Sequence, residues 1–135
     1  MFQLSKRVEY GLIALRHMAA SPRGAIHTTK EIATKYHLPY DLLAKIMQKL
    51  AKKHYISSYQ GVNGGYILNC DPNFVTISEI INAIEDKSSL KIIQCEAQQP
   101  EDCIIHMTCT IKDPLVKLQT NINSMLEHLT VTQLI

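Results

Sequence analysis

Between Thr28 and Leu68 the chain strings together a short capped helix, a break, a longer helix and two β-prone runs around a glycine-rich connection. No other feature constrains the fold as tightly. Thr28-x-x-Glu31 has the form of a capping box and predicts a helix through about Tyr36, with Ile32 and Ala33 inward. His37-Leu38-Pro39 makes a tight break. A second helix is expected from about Tyr40 to Lys53, burying Leu42, Leu43, Ile46, Met47 and Leu50. Short helix, turn and longer helix together have helix-turn-helix dimensions. Residues 55–59 and 66–68 then flank Gln60-Gly61-Val62-Asn63-Gly64-Gly65, the pattern of a β-hairpin. A hairpin directly after a recognition helix is a wing.

The flanking segments extend this unit. Leu4, Val8, Leu12, Leu15 and Ala19 recur at helical spacing, so residues 5–20 should form an amphipathic helix, stopped by Ser21-Pro22-Arg23-Gly24. Thr76-x-x-Glu79 opens another capped helix, from Ile77 to about Glu85. A last helix should begin near Ile111. Within it Leu115, Leu118, Ile122, Met125 and Leu129 form the a/d seam of a coiled coil, which either packs on its own domain or pairs with a second subunit. A homodimer is the expectation, because two reading heads on a two-fold axis match a palindromic site. The expected fold is therefore mainly α: a winged helix-turn-helix with a β-hairpin wing and a long C-terminal dimerisation helix. Its divisions are a DNA-binding domain over 1–86, a cysteine-bearing loop over 87–110, and the dimerisation helix and tail over 111–135.

Charge supports a polyanion partner for the first part. Residues 1–60 hold ten of the 14 Lys/Arg and three of the 12 Asp/Glu, while the remainder is acidic. A charged share of 19% beside 46% hydrophobic residues excludes wholesale disorder. No apolar run is long enough for a transmembrane span, and the first seven residues lack signal-peptide order, so the cytoplasm is expected and no membrane partner.

The candidate DNA-reading face of the 40–53 helix carries Tyr40, Asp41, Ala44 and Lys45 near its start, where a recognition helix meets base edges. Lys45 and Gln48 can reach purine acceptors or pair with adenine. Lys49, Lys52 and Lys53 suit phosphates, which add affinity but little sequence information. Thr28, Gln60 and Asn63 complete the candidate contacts with double-stranded operator DNA. The wing glycines permit a tight hairpin and close approach to the sugar–phosphate backbone. Tyr66 should anchor the wing by packing, and Tyr36 and Tyr59 are expected to pack rather than stack on bases.

The segment after residue 90 carries Cys95-x7-Cys103-x5-Cys109. The spacing is too open for a thioredoxin-like pair and lacks the knuckles of a zinc ribbon. In a reducing compartment clustered thiols favour metal or redox chemistry over disulfides. Thiolates are soft ligands suited to iron–sulfur clusters, zinc or copper(I). Three of them leave one position for a different ligand. A thiol redox switch and a structural zinc site remain alternatives, as does an iron–sulfur assembly partner whose basic half binds an acidic protein. Cys70 reads as a small half-buried residue. No triad or small-molecule substrate site is evident, so an enzyme is not expected.

Leu4-Ser5-Lys6-Arg7-Val8-Glu9-Tyr10-Gly11-Leu12, the wing Gly61-Val62-Asn63-Gly64-Gly65-Tyr66-Ile67-Leu68, the three cysteines and the closing Leu129-Thr130-Val131-Thr132 stand in one characteristic order. Together they resemble the Rrf-two family of bacterial winged-helix regulators across essentially the whole chain. The resemblance implies a homodimeric, cytoplasmic repressor that binds operator DNA and senses iron, iron–sulfur status, nitric oxide or redox state through a 2Fe-2S or 4Fe-4S cluster. It implies Cys95, Cys103 and Cys109 as cluster ligands. The histidine that some members place three residues after the last cysteine is Lys112 here. Other members use an N-terminal acidic residue of the partner subunit, and Glu9 stands at that place. His106 is a weaker candidate. The family's wing often begins Arg-Gly; here it begins Gln60-Gly61.

Overall fold

The computed structural model describes residues 4–85 and 110–134. Among these residues five α-helices and one hairpin follow in the order α1 (Lys6–Ala20), α2 (Thr29–Tyr36), α3 (Tyr40–Lys52), β1 (Ile56–Tyr59), β2 (Gly65–Leu68), α4 (Ile77–Ile84) and α5 (Lys112–His128), closed by a 3₁₀ turn at Val131–Leu134.

Ser5 caps α1 by accepting a hydrogen bond from Val8 N at 3.3 Å. The helix buries Val8, Gly11, Ala14, Leu15 and Met18. Leu12 and Ala19, expected at the centre of the buried stripe, lie at its half-buried margin. Small residues displace them: at Gly11 an added Cβ would press into the Ile84 side chain and stand 3.3 Å from Ile46 Cγ2. The glycine lets α1 sit directly against α3 and α4.

Thr28 caps α2, its Oγ1 accepting from Glu31 N at 3.0 Å. The turn into α3 is made by His37, whose φ of 55° is left-handed, and by Leu38 N donating to Ala33 O at 2.9 Å. α3 buries Leu43, Ile46, Met47 and Leu50, with Leu42 half-buried. The hairpin pairs Ile56 with Leu68, Ser57 with Ile67, Ser58 with Tyr66 and Tyr59 with Gly65. It is held to the rest of the molecule by His27, which exchanges backbone hydrogen bonds with Tyr66 at 2.8 and 2.7 Å.

The complete capping box occurs at α4, where Thr76 N donates to Glu79 Oε2 and Glu79 N to Thr76 Oγ1. This helix places Ile77, Ile80, Ile81, Ala83 and Ile84 in the core. Fully burying a residue such as Ile80 is worth about 1.5–3 kcal/mol. The chain leaving α5 is stitched back: Ile77 N donates to Leu129 O at 2.8 Å and Val131 N to Val75 O at 2.9 Å. The result is a winged helix-turn-helix with a long C-terminal helix beside α4. No helix among the described residues is long and apolar enough to cross a membrane.

Candidate nucleic-acid interface

Asp41, Lys45, Gln48 and Lys52 step by four, three and four along α3, opposite its buried side, and all are exposed. Tyr40 joins them at the first turn, 54% exposed, while Ala44 is half-buried. Asp41 in that turn also complements the positive end of the helix. Lys53, just past the helix, is exposed as well.

Lys49 is placed differently. It is half-buried, and its Nζ donates to Ile84 O at 2.9 Å, satisfying a carbonyl in the last turn of α4. Thr28 is exposed, with its hydroxyl already engaged as the α2 cap.

At the wing tip Gln60, Gly61, Val62 and Asn63 are all exposed. Gly61 has φ of +126°, a region side chains rarely adopt. Gly65 serves a different need from backbone freedom: an added Cβ would stand 2.6 Å from His27 O, so the residue is small because the protein's own chain lies against it. Tyr66 is half-buried against the core, as an anchor should be. Tyr59, expected to pack, is 55% exposed, because β1 is buried only at Ile56 and then runs out past the core. Tyr36 is also partly exposed, with its hydroxyl 2.9 Å from His17 Nδ1.

Glu9 lies half-buried on α1, with Oε2 2.8 Å from Lys6 Nζ. That hydrogen bond and the carboxylate's charge raise the Lys6 ammonium above its ordinary value. Cys95, Cys103, Cys109 and His106 lie outside the described residues, in the stretch between α4 and α5. Cys70 is half-buried and packs against the core, and burial pushes its thiol up.

The seam of α5 divides. Leu115 and Ile122 are half-buried, while Leu118 and Met125 are 47% and 66% exposed. Leu129, at the helix end, packs against the core of its own chain, as does Leu126. Gln119 takes a buried place on the inner side and donates to Asn123 Oδ1 at 3.0 Å. What remains outward is an apolar line of Ile111, Leu118 and Met125, spaced by seven residues.

One further group is assembled only by the fold. His17, His27 and Glu31 converge where α1, the wing-pairing residue and the first turn of α2 meet. Glu31 Oε1 is 3.7 Å from His17 Nε2 and 3.7 Å from His27 Nδ1. The imidazole rings stand edge to face, 4.8 Å apart. Only the four-residue step from His27 to Glu31 is visible in the sequence.

The profile of the Rrf2 family, described as "Iron-dependent Transcriptional regulator", matches residues 4–135. The chain belongs to the Rrf2 family. Among its curated relatives are two proteins named HTH-type transcriptional regulator NsrR. The one from Shouchella clausii is 29% identical over 98% of this chain and 88% of the relative. The one from Halalkalibacterium halodurans is 29% identical over 98% and 90%. Among solved structures, CymR of B. subtilis, titled the global cysteine regulator, superposes with a TM-score of 0.74 at 21% identity, over 99% of this chain and 96% of the other. The IscR of T. potens gives 0.67 at 24% identity, over 98% and 85%. These two likenesses show the shared fold. An Rrf2 chain with this fold is a DNA-binding transcriptional regulator rather than an enzyme.

Proposed function

We propose that this Rrf2 chain is a homodimeric, cytoplasmic repressor whose grip on operator DNA depends on an iron–sulfur cluster held by Cys95, Cys103 and Cys109, with Glu9 of the partner subunit as fourth ligand. The observation that carries the DNA-binding part is the exposed line Asp41, Lys45, Gln48 and Lys52 on the second helix of the helix-turn-helix, followed directly by a wing with an exposed tip. Lys45 and Gln48 read bases, and Lys52 and Lys53 hold phosphates. Lys49 braces α4 instead. Gln60 and Asn63 approach the neighbouring backbone from the wing.

The donor set fits the cluster. Three thiolates are soft ligands suited to iron, and the Glu9 carboxylate is half-exposed and paired with an exposed lysine, a bond that costs little to exchange. When bound, such a group would supply a centre that reacts with nitric oxide or oxygen and that is not assembled when iron is short. The protein's own part is mechanical. The three cysteines tie the segment between α4 and α5, and Glu9 ties α1 of one subunit to that segment of the other. α5 aligns the subunits through Leu118 and Met125, with Leu115 and Ile122 beside them. Held and released arrangements then differ in the spacing of the two α3 helices, and the contact at Glu9 biases one over the other.

Anaerobically purified protein should be coloured and contain iron and sulfide, and Cys95→Ala, Cys103→Ala or Cys109→Ala should each abolish the visible absorbance. It should also bind a fragment of its own promoter with an affinity that falls steeply with salt. A colourless, iron-free preparation would contradict the cluster, and salt-insensitive DNA binding would contradict the interface.

A further inference from the structure

The His17–His27–Glu31 group is built like a ligand set and serves no purpose in the mechanism above. The His17 and His27 side chains are 9% and 8% exposed, whereas Glu31 is 49% exposed and opens the group to solvent. Among the described residues, His17 Nε2 and both nitrogens of His27 have no hydrogen-bond partner. Buried polar atoms are satisfied in the great majority of cases, so unsatisfied ring nitrogens on two neighbouring histidines call for a ligand, and one ion would take His17 Nε2 and one nitrogen of His27. One donor atom from each residue lies within 4.8 Å of the other two. Tetrahedral zinc, bound at about 2.0–2.1 Å, sets neighbouring donors roughly 3.4 Å apart. Both carboxylate–imidazole separations of 3.7 Å are within a few tenths of that value.

We propose that His17, His27 and Glu31 bind one divalent transition-metal ion of the zinc class, with a fourth position open to water. The surroundings suit this role. The Tyr36 hydroxyl stands 2.9 Å from His17 Nδ1; by accepting that N–H it leaves the Nε2 lone pair facing Glu31, the outer support that metal-bound histidines commonly have. Two nitrogens and an oxygen prefer zinc, nickel or copper(II) to calcium or magnesium.

The position gives the ion leverage. His17 belongs to α1, Glu31 to the first turn of α2, and His27 pairs with Tyr66 of the wing. One ion would fix all three segments, so metal occupancy would stiffen the wing against the helix-turn-helix. This last step rests on the DNA-binding reading; binding of the metal does not.

The test uses the full chain carrying Cys95→Ser, Cys103→Ser and Cys109→Ser, so that failure of the cluster reading leaves it untouched. Titration with Co2+ should fill one site per chain and give weak visible bands without intense thiolate-to-cobalt absorption, and Zn2+ should displace it. Glu31→Gln, at a half-exposed position whose backbone alone serves the Thr28 cap, should fold normally and lose at least about tenfold in affinity. His27→Gln should do the same, and Tyr36→Phe should lose about 10–100-fold while keeping the stoichiometry. In hydrogen exchange, Zn2+ should protect the Tyr66 amide in the parent and not in Glu31→Gln. If the triple-serine chain misfolds by circular dichroism, thiol-alkylated wild-type protein takes the same titration. No Co2+ uptake, or equal affinity in the parent, Glu31→Gln and His27→Gln, overturns the site. Unchanged Tyr66 exchange overturns the coupling to the wing.

Discussion

Lys45 and Gln48 stand on the exposed side of α3 with side chains that can donate to or pair with base edges, and Lys52 follows one turn later. The division of labour predicts different signatures on removal. Lys45→Ala or Gln48→Ala should cost about 1–3 kcal/mol on the preferred operator and relax specificity at one base position. Lys52→Ala should weaken all sequences alike and lower the slope of log affinity against log salt by about one. Fluorescence anisotropy across operator variants and salt concentrations separates the two. Cys70 makes a prediction from its pH behaviour. Its folded thiol holds its proton to a higher pH than the unfolded one, so the unfolded chain loses protons first and stability falls as pH rises above the ordinary thiol range. In the chain lacking the other three cysteines, Cys70 alkylation should be slow at neutral pH, with a midpoint above that of a free thiol. The alternation of apolar and polar residues made the α3 face readable in advance, because a helix forces that period on its two sides. Lys49 could not be placed that way. Its partner, the Ile84 carbonyl, is 35 residues away and reaches it only through the packing of α4. The His17 group was hidden for the same reason: three elements meet there, and the chain shows only one four-residue step.

Helix by helix, the local signals in the chain located boundaries well. The caps at Thr28 and Thr76 and the break before Pro39 are short-range chemistry, complete within a few residues. Depth within an element was harder to read. Gly11 is a helix interior glycine whose value lies in the closeness of Ile84 and Ile46, and Gly11→Val should destabilise the fold by about 1–3 kcal/mol in urea unfolding through overpacking. Tyr59 sits on an extension of the hairpin that the core does not reach, which strand alternation alone does not reveal. In α5 the apolar stripe divides between a packed and an exposed part. Its inner part, ending in Leu126 and Leu129, packs on the same chain, while Leu118 and Met125 remain outward. Substituting both by Glu should leave the fold of the single chain intact by circular dichroism, since the two side chains are exposed there. The same pair should convert the proposed dimer to a monomer in sedimentation equilibrium. A dimer that survives Leu118→Glu with Met125→Glu would place its interface elsewhere.

For the molecule as a whole, the reading head, the wing and the closing helix share one core, while the three cysteines lie in the chain between α4 and α5. Under the proposed function, a chemical event at those cysteines acts on DNA binding by altering how two copies of that core are held together. The proposed function requires that DNA affinity follow the state of the cysteine-bound cluster. It is tested most directly by titrating anaerobically purified wild-type protein with nitric oxide while recording its visible spectrum and its affinity for its own promoter in the same sample. The cluster absorbance and the promoter affinity should change together, with the affinity falling at least about tenfold, and Cys103→Ala should show neither change. Promoter affinity that stays constant while the absorbance bleaches, or a wild-type protein with no absorbance to bleach, would contradict it.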